Sequence, residues 1–227
     1  MNRHADLKTF YNLLNQLEKK IGGRRLLLNC NGSMNWPKKG IYFFMENGEY
    51  RSNSSNFRII RVGTHALRIN ARSTLWQRLK QHKGNNQGGG NHRGSIFRLI
   101  VGTAFNTDGI YPNRGNGNNA PAAIKISELP LEKKVSDFIG KMPFIWLPIC
   151  DSFQIDGKAG HELRGYIERN SIALLSNYNK EPIDSSSENW LGRKCDRPLV
   201  ISSGLWNQDH VNENYDPNFL KILEKII

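Results

Sequence analysis

Two short stretches rich in β-formers, GIYFFME at residues 40–46 and FRIIRVGT at 57–64, flank the polar loop NGEYRSNSSN. They constrain the chain more than any other feature. Apolar runs of this length, bounded by Gly, Asn and Ser, read as strands, and two in succession read as an antiparallel hairpin. A bare hairpin is marginal in water, so other elements must cover it. Residues 5–20 carry Leu7, Phe10, Tyr11, Leu13, Leu14 and Leu17 at helical spacing, and Gly22 and Gly23 stop that helix. Further helices are expected over 72–84, with Ser73 or Thr74 at the start and Gly84 past the end, and over 95–105, 131–142, 161–177 and 216–227. RLLLNC (25–30), PFIWLPIC (143–150) and PLVISSGLWN (198–207) read as strands, with Pro148 pushing the second of these toward a sheet edge. The expected fold is α/β of the α+β kind: a small antiparallel β-sheet flanked by helices. Its domain plan is an N-terminal helical arm over 1–35, a core over 36–180 and a C-terminal extension over 181–227 packed on the core. Two Gly/Asn-rich insertions, 85–94 and 106–121, interrupt the core; the first reads as a mobile loop.

Charge narrows the partner. The 227 residues hold 32 Lys and Arg against 20 Asp and Glu, a formal +12, which favours a polyanion. Nucleic acid and an acidic membrane surface both satisfy that. No run of about 18 apolar residues exists to span a bilayer, and MNRHADLKTFYNLL has no apolar core of a secretion signal. Cys30, Cys150 and Cys195 are odd in number and far apart, which suggests neither a disulfide framework nor a zinc site. A cytoplasmic location is therefore expected.

The chemistry-bearing residues fall near the expected strand ends and helix faces. Arg78 and His82 stand four apart on one helix, beside the Leu75–Trp76–Leu79 face. A guanidinium matches phosphate oxygens two at a time, and an imidazole donates to phosphate or moves a proton; two solvated polar residues are the plain alternative. Glu168 projects into an apolar arc of the 161–177 helix, between Leu175 and Ile172. A carboxylate there needs a cation: one of the many Lys and Arg, or a hard divalent ion, which takes few carboxylates and keeps its waters. Tyr42 opens the first strand and Arg61 closes the second. His65 follows the hairpin, and His92 and Arg93 lie in the Gly-rich loop, where backbone N–H groups and Arg suit phosphates. Trp190 and Trp206 offer base stacking or core packing. Asp209, His210 and Glu213 form a weak metal-like spacing.

The ordered set Gly40-Ile41-Tyr42, a strand ending Val62-Gly63, a helix with Arg78 and His82, and a later Glu168 followed by Asn resembles the GIY-YIG nuclease superfamily over about 38–180. The resemblance implies a phosphodiester-cutting DNA endonuclease, in restriction, defence or repair, with one Mg²⁺ that Mn²⁺ can replace. It implies that Tyr42 sits by the attacking water, Arg78 contacts the scissile phosphate and His82 assists proton handling. Glu168 is then the metal carboxylate, and Asn177, with Asn179 as a rival, the downstream asparagine. His65, His92 and Arg93 are expected to contact DNA. The departure is Arg61, where the family usually has a second tyrosine. A cation beside a phenol favours its ionised form, so Arg61 joins the expected catalytic set. The alternative is a domain that kept the fold and binds nucleic acid without cutting it. No dimer face is legible, although cutting both strands of a palindrome would suggest a dimer.

Overall fold

The computed structural model describes residues 2–106 and 120–227. Helix α1 (Arg3–Lys20) precedes a two-residue strand β1 (Arg25–Leu26). The hairpin follows as β2 (Gly40–Tyr50) and β3 (Phe57–Thr64), then α2 (Leu75–Lys83), α3 (Ile96–Phe105) and α4 (Ala122–Gly140). The chain continues through β4 (Pro143–Pro148), a small ribbon of β5 (Gln154–Ile155) and β6 (Lys158–Ala159), α5 (Gly160–Leu175), α6 (Pro198–Ser203) and α7 (Asn218–Ile226). The main sheet is antiparallel throughout, in the order β1-β4-β2-β3. Among the described residues no helix is long and apolar enough to cross a membrane.

Both faces of the sheet are covered, so its strands are buried almost end to end instead of alternating with solvent. Ile41, Phe43, Ile145 and Leu147 face one cluster, which takes Leu7 and Phe10 from α1, Ile167 from α5 and Phe219 from α7. Tyr42, Phe44, Phe144 and Trp146 face the other, with Leu75 and Leu79 from α2 and Phe97 from α3. The N-terminal arm and the C-terminal extension thus contribute to the same core as the 36–180 region.

Several expectations are corrected. The 25–30 stretch is strand for two residues only and then turns through a 3₁₀ segment, Leu27–Asn29. The 131–142 helix starts at Ala122 and carries Pro130 inside. β4 is an inner strand, because Pro143 and Pro148 sit at its two ends, where the ladder needs no N–H from them. The 198–207 strand is instead α6, with Pro198 pre-set at its first turn. Only after Gly204 does the chain run along β3, where the Trp206 N–H donates to the Ile60 carbonyl at 2.7 Å. The 85–94 insertion is closely folded: Asn85 N–H donates to the Gly89 carbonyl at 2.7 Å, and the Asn85 side chain accepts from Gln87 and Gly89. Of the 106–121 insertion, residues 107–119 lie outside the described residues.

Candidate active site

The hairpin register sets the site. Tyr42 pairs with Gly63 on one side and Trp146 on the other. A Cβ on Gly63 would fall 2.6 Å from Tyr42 Cε2 and overlap its hydroxyl, so the phenol lies across bare backbone. Phe44 pairs with Arg61 and Met45 with Ile59, leaving Ile60 as the extra residue of a bulge. Arg61 therefore shares the sheet face of Tyr42 and Phe44. Its guanidinium donates to the Trp206 carbonyl and lies over the Phe97 ring, 4.7 Å from the centroid. Burial lowers its pKa, while neighbouring Tyr42 and Glu168 pull the other way.

Helix α2 supplies the next two groups. Thr74 caps it in a reciprocal box with Gln77. Arg78 and His82, expected on one flank, divide. His82 is fully buried, with Nε2 at 2.8 Å from the Tyr42 hydroxyl and Nδ1 at 2.8 Å from Ser95 Oγ. Burial, then the guanidinium charges of Arg78, Arg61 and Arg98, hold its pKa well below 6.5, so the ring is neutral. Arg78 is half-exposed, braced by Gln81 at 3.0 Å, and has no carboxylate partner among the described residues. It lines an open cleft of about 980 Å³ with Thr64, His65, Gln81 and Asn91. Among the described residues its lining carries Arg78 and Lys80 and no carboxylate, and Glu168 adjoins it through the Thr64 N–H, so its field is positive, as an anionic substrate requires.

Glu168 reaches the end of β3, where it accepts the Thr64 N–H at 2.9 Å. It forms no ion pair with any described residue, despite being half-buried. Burial raises its pKa, against the pull of Arg61, His210, the Thr64 N–H and Arg78. Tyr42, Arg61, Arg78, His82 and Glu168 thus form one constellation.

His65 also faces this cleft. Arg164, itself fully buried, donates to the Ala66 carbonyl at 2.6 Å and the Ile149 carbonyl at 2.8 Å. It holds Ala66 at a φ of 57°, a left-handed conformation costly for a residue with a Cβ, and so turns the chain sharply after His65. His65 is 8 % exposed, and burial lowers its pKa to about 4 while the nearby Lys38 carbonyl pulls it upward.

Other candidates lie elsewhere. Asn177 stands at the far end of α5, where its Oδ1 accepts from Arg3 at 2.8 Å and from the Ile183 N–H at 3.0 Å; it is a brace and does not join the site. Asn179 is exposed in a turn. The expected DNA contacts His92 and Arg93 are corrected too. His92 is fully buried with Nδ1 at 2.8 Å from Glu132, and Arg93 holds Glu128 with both terminal nitrogens, at 2.6 and 2.5 Å. Trp190 and Trp206 are core residues, both donating to Glu46, at 3.3 and 2.9 Å. His210 and Glu213 pair with each other at 2.8 Å, and no cluster of three metal-ligating side chains occurs among the described residues.

The geometry and the comparison with known families agree. The model of the GIY-YIG domain family matches residues 1–227. The chain belongs to the GIY-YIG family. GIY-YIG proteins are endonucleases that act on DNA, and this member's match includes both segments that flank the recognisable motifs. No curated protein and no solved structure matches the chain. Sequence reasoning missed Ser95, Arg164 and Thr64. Ser95 was legible as a cap, a serine directly before an apolar helical run. The Thr64 contribution is a backbone N–H and leaves no mark in the sequence.

Proposed function

We propose that this protein is a divalent-metal-dependent DNA endonuclease that hydrolyses phosphodiester bonds in the Arg78 cleft. The observation that carries the reading is Glu168: a half-buried carboxylate with one oxygen on a backbone N–H and no ion pair among the described residues, beside two guanidiniums. A carboxylate so placed is costly unless a cation meets it. Such a donor set fits Mg²⁺, or Mn²⁺ in its place, which binds through one or two carboxylates and keeps several waters. When bound there, the ion would supply Lewis-acid stabilisation of the charge on the phosphate.

The chain's own residues do the rest. Arg78, facing the cleft with no carboxylate partner among the described residues, receives the phosphate oxygens. Arg61 adds a second fixed positive charge next to Tyr42 and Glu168. Tyr42 helps activate the attacking water, its hydroxyl held by His82. His65 meets the DNA from the same wall of the cleft. A role in restriction, defence or repair is consistent with this chemistry.

One observation favours a second reading, a nucleic-acid-binding module without catalysis. Tyr42 is 0 % exposed, covered by its neighbours, so in this conformation the phenol meets no bulk water. Incubation with supercoiled plasmid and Mg²⁺ or Mn²⁺, beside Glu168→Ala, decides between the two. Nicking that disappears in the variant supports the nuclease. Salt-sensitive binding that is equal in both proteins, with no nicking, supports the module.

A further inference from the structure

We propose that the loop between β3 and α2 is a wedge for duplex DNA. Its exposed apolar tip, Leu67 and Ile69, presses on a base step beside the cleft, Arg68 and Arg72 hold the flanking phosphates, and the protein therefore favours DNA that unstacks easily. The proposal deepens the reading above by naming the state of the substrate; it rests on the DNA partner of that reading and not on its catalysis.

The loop is pinned at both ends by two cations that share one carboxylate. Arg164 donates to the Ala66 carbonyl at 2.6 Å and to Asp151 Oδ1 at 2.8 Å. Lys39 donates to the Ala71 carbonyl at 2.8 Å and to Asp151 Oδ2 at 2.5 Å. Between the pins, the Ala71 N–H donates to the Arg68 carbonyl at 3.2 Å, and Asn70 takes a φ of 60°, a left-handed turn that Asn tolerates. With Ala66, that makes two positive-φ residues in one loop without a glycine. Strain of this kind persists only where the surroundings enforce it, and it gathers at sites that do something.

What this frame holds out is apolar. Residues 67–70 are all exposed, Leu67 at 46 % and Ile69 at 72 %, the most exposed large apolar side chain among the described residues. A single exposed Ile is ordinary on a surface. An Ile held out on a loop that a fully buried arginine fixes is prepared for contact, because ordering it beforehand lowers the cost of binding.

The setting names the partner. Thr64 and His65 before the loop, and Ser73 and Arg78 after it, line the cleft. Leu67 lies over Gly165, where an added Cβ would stand 3.5 Å from its Cδ2, and Glu168 follows three residues on, along the same face of α5. Between Glu49 and Asp108 the sequence has ten Lys and Arg and no Asp or Glu. Guanidiniums on either side of the tip suit phosphates, and Leu or Ile between them suits a base step, which such side chains part and unstack. An anionic bilayer shares the preference for charge but gives no role to the cleft that both ends of the loop line.

The test is fluorescence anisotropy of the full-length protein in EDTA, where nothing is cut. The probes are two labelled duplexes identical except for one central mismatch, which lowers the cost of unstacking. Wild type is expected to bind the mismatched duplex about tenfold more tightly. Ile69→Ser should bind the two equally at an unchanged thermal midpoint, since the side chain is exposed, and Ile69→Met should keep the preference. Arg68→Ala and Arg72→Ala should weaken both duplexes alike, each lowering the salt slope by about 1. A wild type indifferent to the mismatch, or a preference that survives Ile69→Ser, overturns the proposal. Binding to phosphatidylserine vesicles that Ile69→Ser abolishes, with DNA binding intact, makes the loop a membrane anchor and overturns it too. The two readings fail separately. A mismatch preference in a protein that nicks no plasmid with Mg²⁺ overturns the nuclease and keeps the wedge; nicking without the preference overturns the wedge alone; binding to neither duplex overturns both.

Discussion

Two polar clusters are linked through His82, each built on a histidine, an arginine and a glutamate, and they are electrostatic opposites. In the loop cluster, Glu132 meets Arg98 in a close ion pair and His92 at 2.8 Å, and Arg98 also donates to the His82 carbonyl at 2.8 Å. Burial alone would raise the pKa of Glu132, but His92 and Arg98 overturn that and hold it at about 2. In the cleft cluster, Glu168 has Arg61 and Arg78 as neighbours but neither as a salt-bridge partner, and its pKa stays raised. One carboxylate is satisfied by the protein itself and the other is not. A saturated ion pair fixes structure, whereas an unsatisfied one keeps capacity for something that comes from outside.

The strongest way to break that contrast is to remove the unsatisfied carboxylate. Glu168→Ala is expected to lower plasmid nicking by about 10³-fold, the scale on which charge-stabilising groups act. It should leave the thermal midpoint unchanged or higher, because no ion pair is lost. A variant that melts well below wild type would show Glu168 to be structural after all.

The same operation on the other cluster should do the reverse. Glu132→Ala leaves Arg98 buried without its partner, and loss of one member of a buried pair costs about 3–5 kcal/mol. Urea titration reads that directly. The pH dependence gives an independent check. Glu132 has its folded pKa below the ordinary 4.5, so its contribution is complete above about 4.5 and is lost as pH falls toward about 2. The loss amounts to about 3 kcal/mol by linkage. Acid titrations of wild type and Glu132→Gln should diverge above that window and converge below it.

How much of this was legible in the residues follows from the same physics. Tyr42, Arg61, Arg78, His82 and Glu168 are side chains on regular elements, and period and register carried them to one place. The hairpin was visible because β-branched and aromatic residues alternate with nothing but a polar loop between. His92 and Arg93 read as exposed because they sit among glycines, and glycines suggest looseness. Here Gly90 is required because the Arg98 guanidinium fills the space a Cβ would take. That requirement comes from a partner eight residues on, which no local pattern announces. Pro198–Ser203 read as a strand because PLVI is apolar, and periodicity cannot separate a short helix from a strand in so short a run.

Gly63 offers a finer test, since it touches only the cleft cluster. Gly63→Ala places a methyl where the Tyr42 ring lies, against strand backbone that cannot retreat far. Overpacking of this kind costs about 1–3 kcal/mol. The expected result is a lowered thermal midpoint together with lost nicking, while the acid transition attributed to Glu132 keeps its position. If both clusters respond, they are one cooperative unit and the comparison fails.

The smallest effect concerns Asn177, which a motif-based reading makes the downstream asparagine of the catalytic set. Its Oδ1 takes one hydrogen bond from Arg3 and one from the Ile183 N–H, tying α1 to the end of α5 and to the segment beyond it. Arg3 keeps other acceptors, the Leu174 carbonyl at 3.0 Å and the Ser176 carbonyl at 2.8 Å, so its charge stays solvated by the helix terminus. Only the Ile183 N–H loses its partner in Asn177→Ala. The cost should be about 1 kcal/mol, the net worth of one ordinary hydrogen bond. Nicking per folded molecule should stay within about twofold of wild type, far from the effect of losing a transition-state contact. A loss of 10²-fold at unchanged stability would mean that α5 delivers a second group to the cleft, and Glu168 would no longer stand alone as the open end of the site.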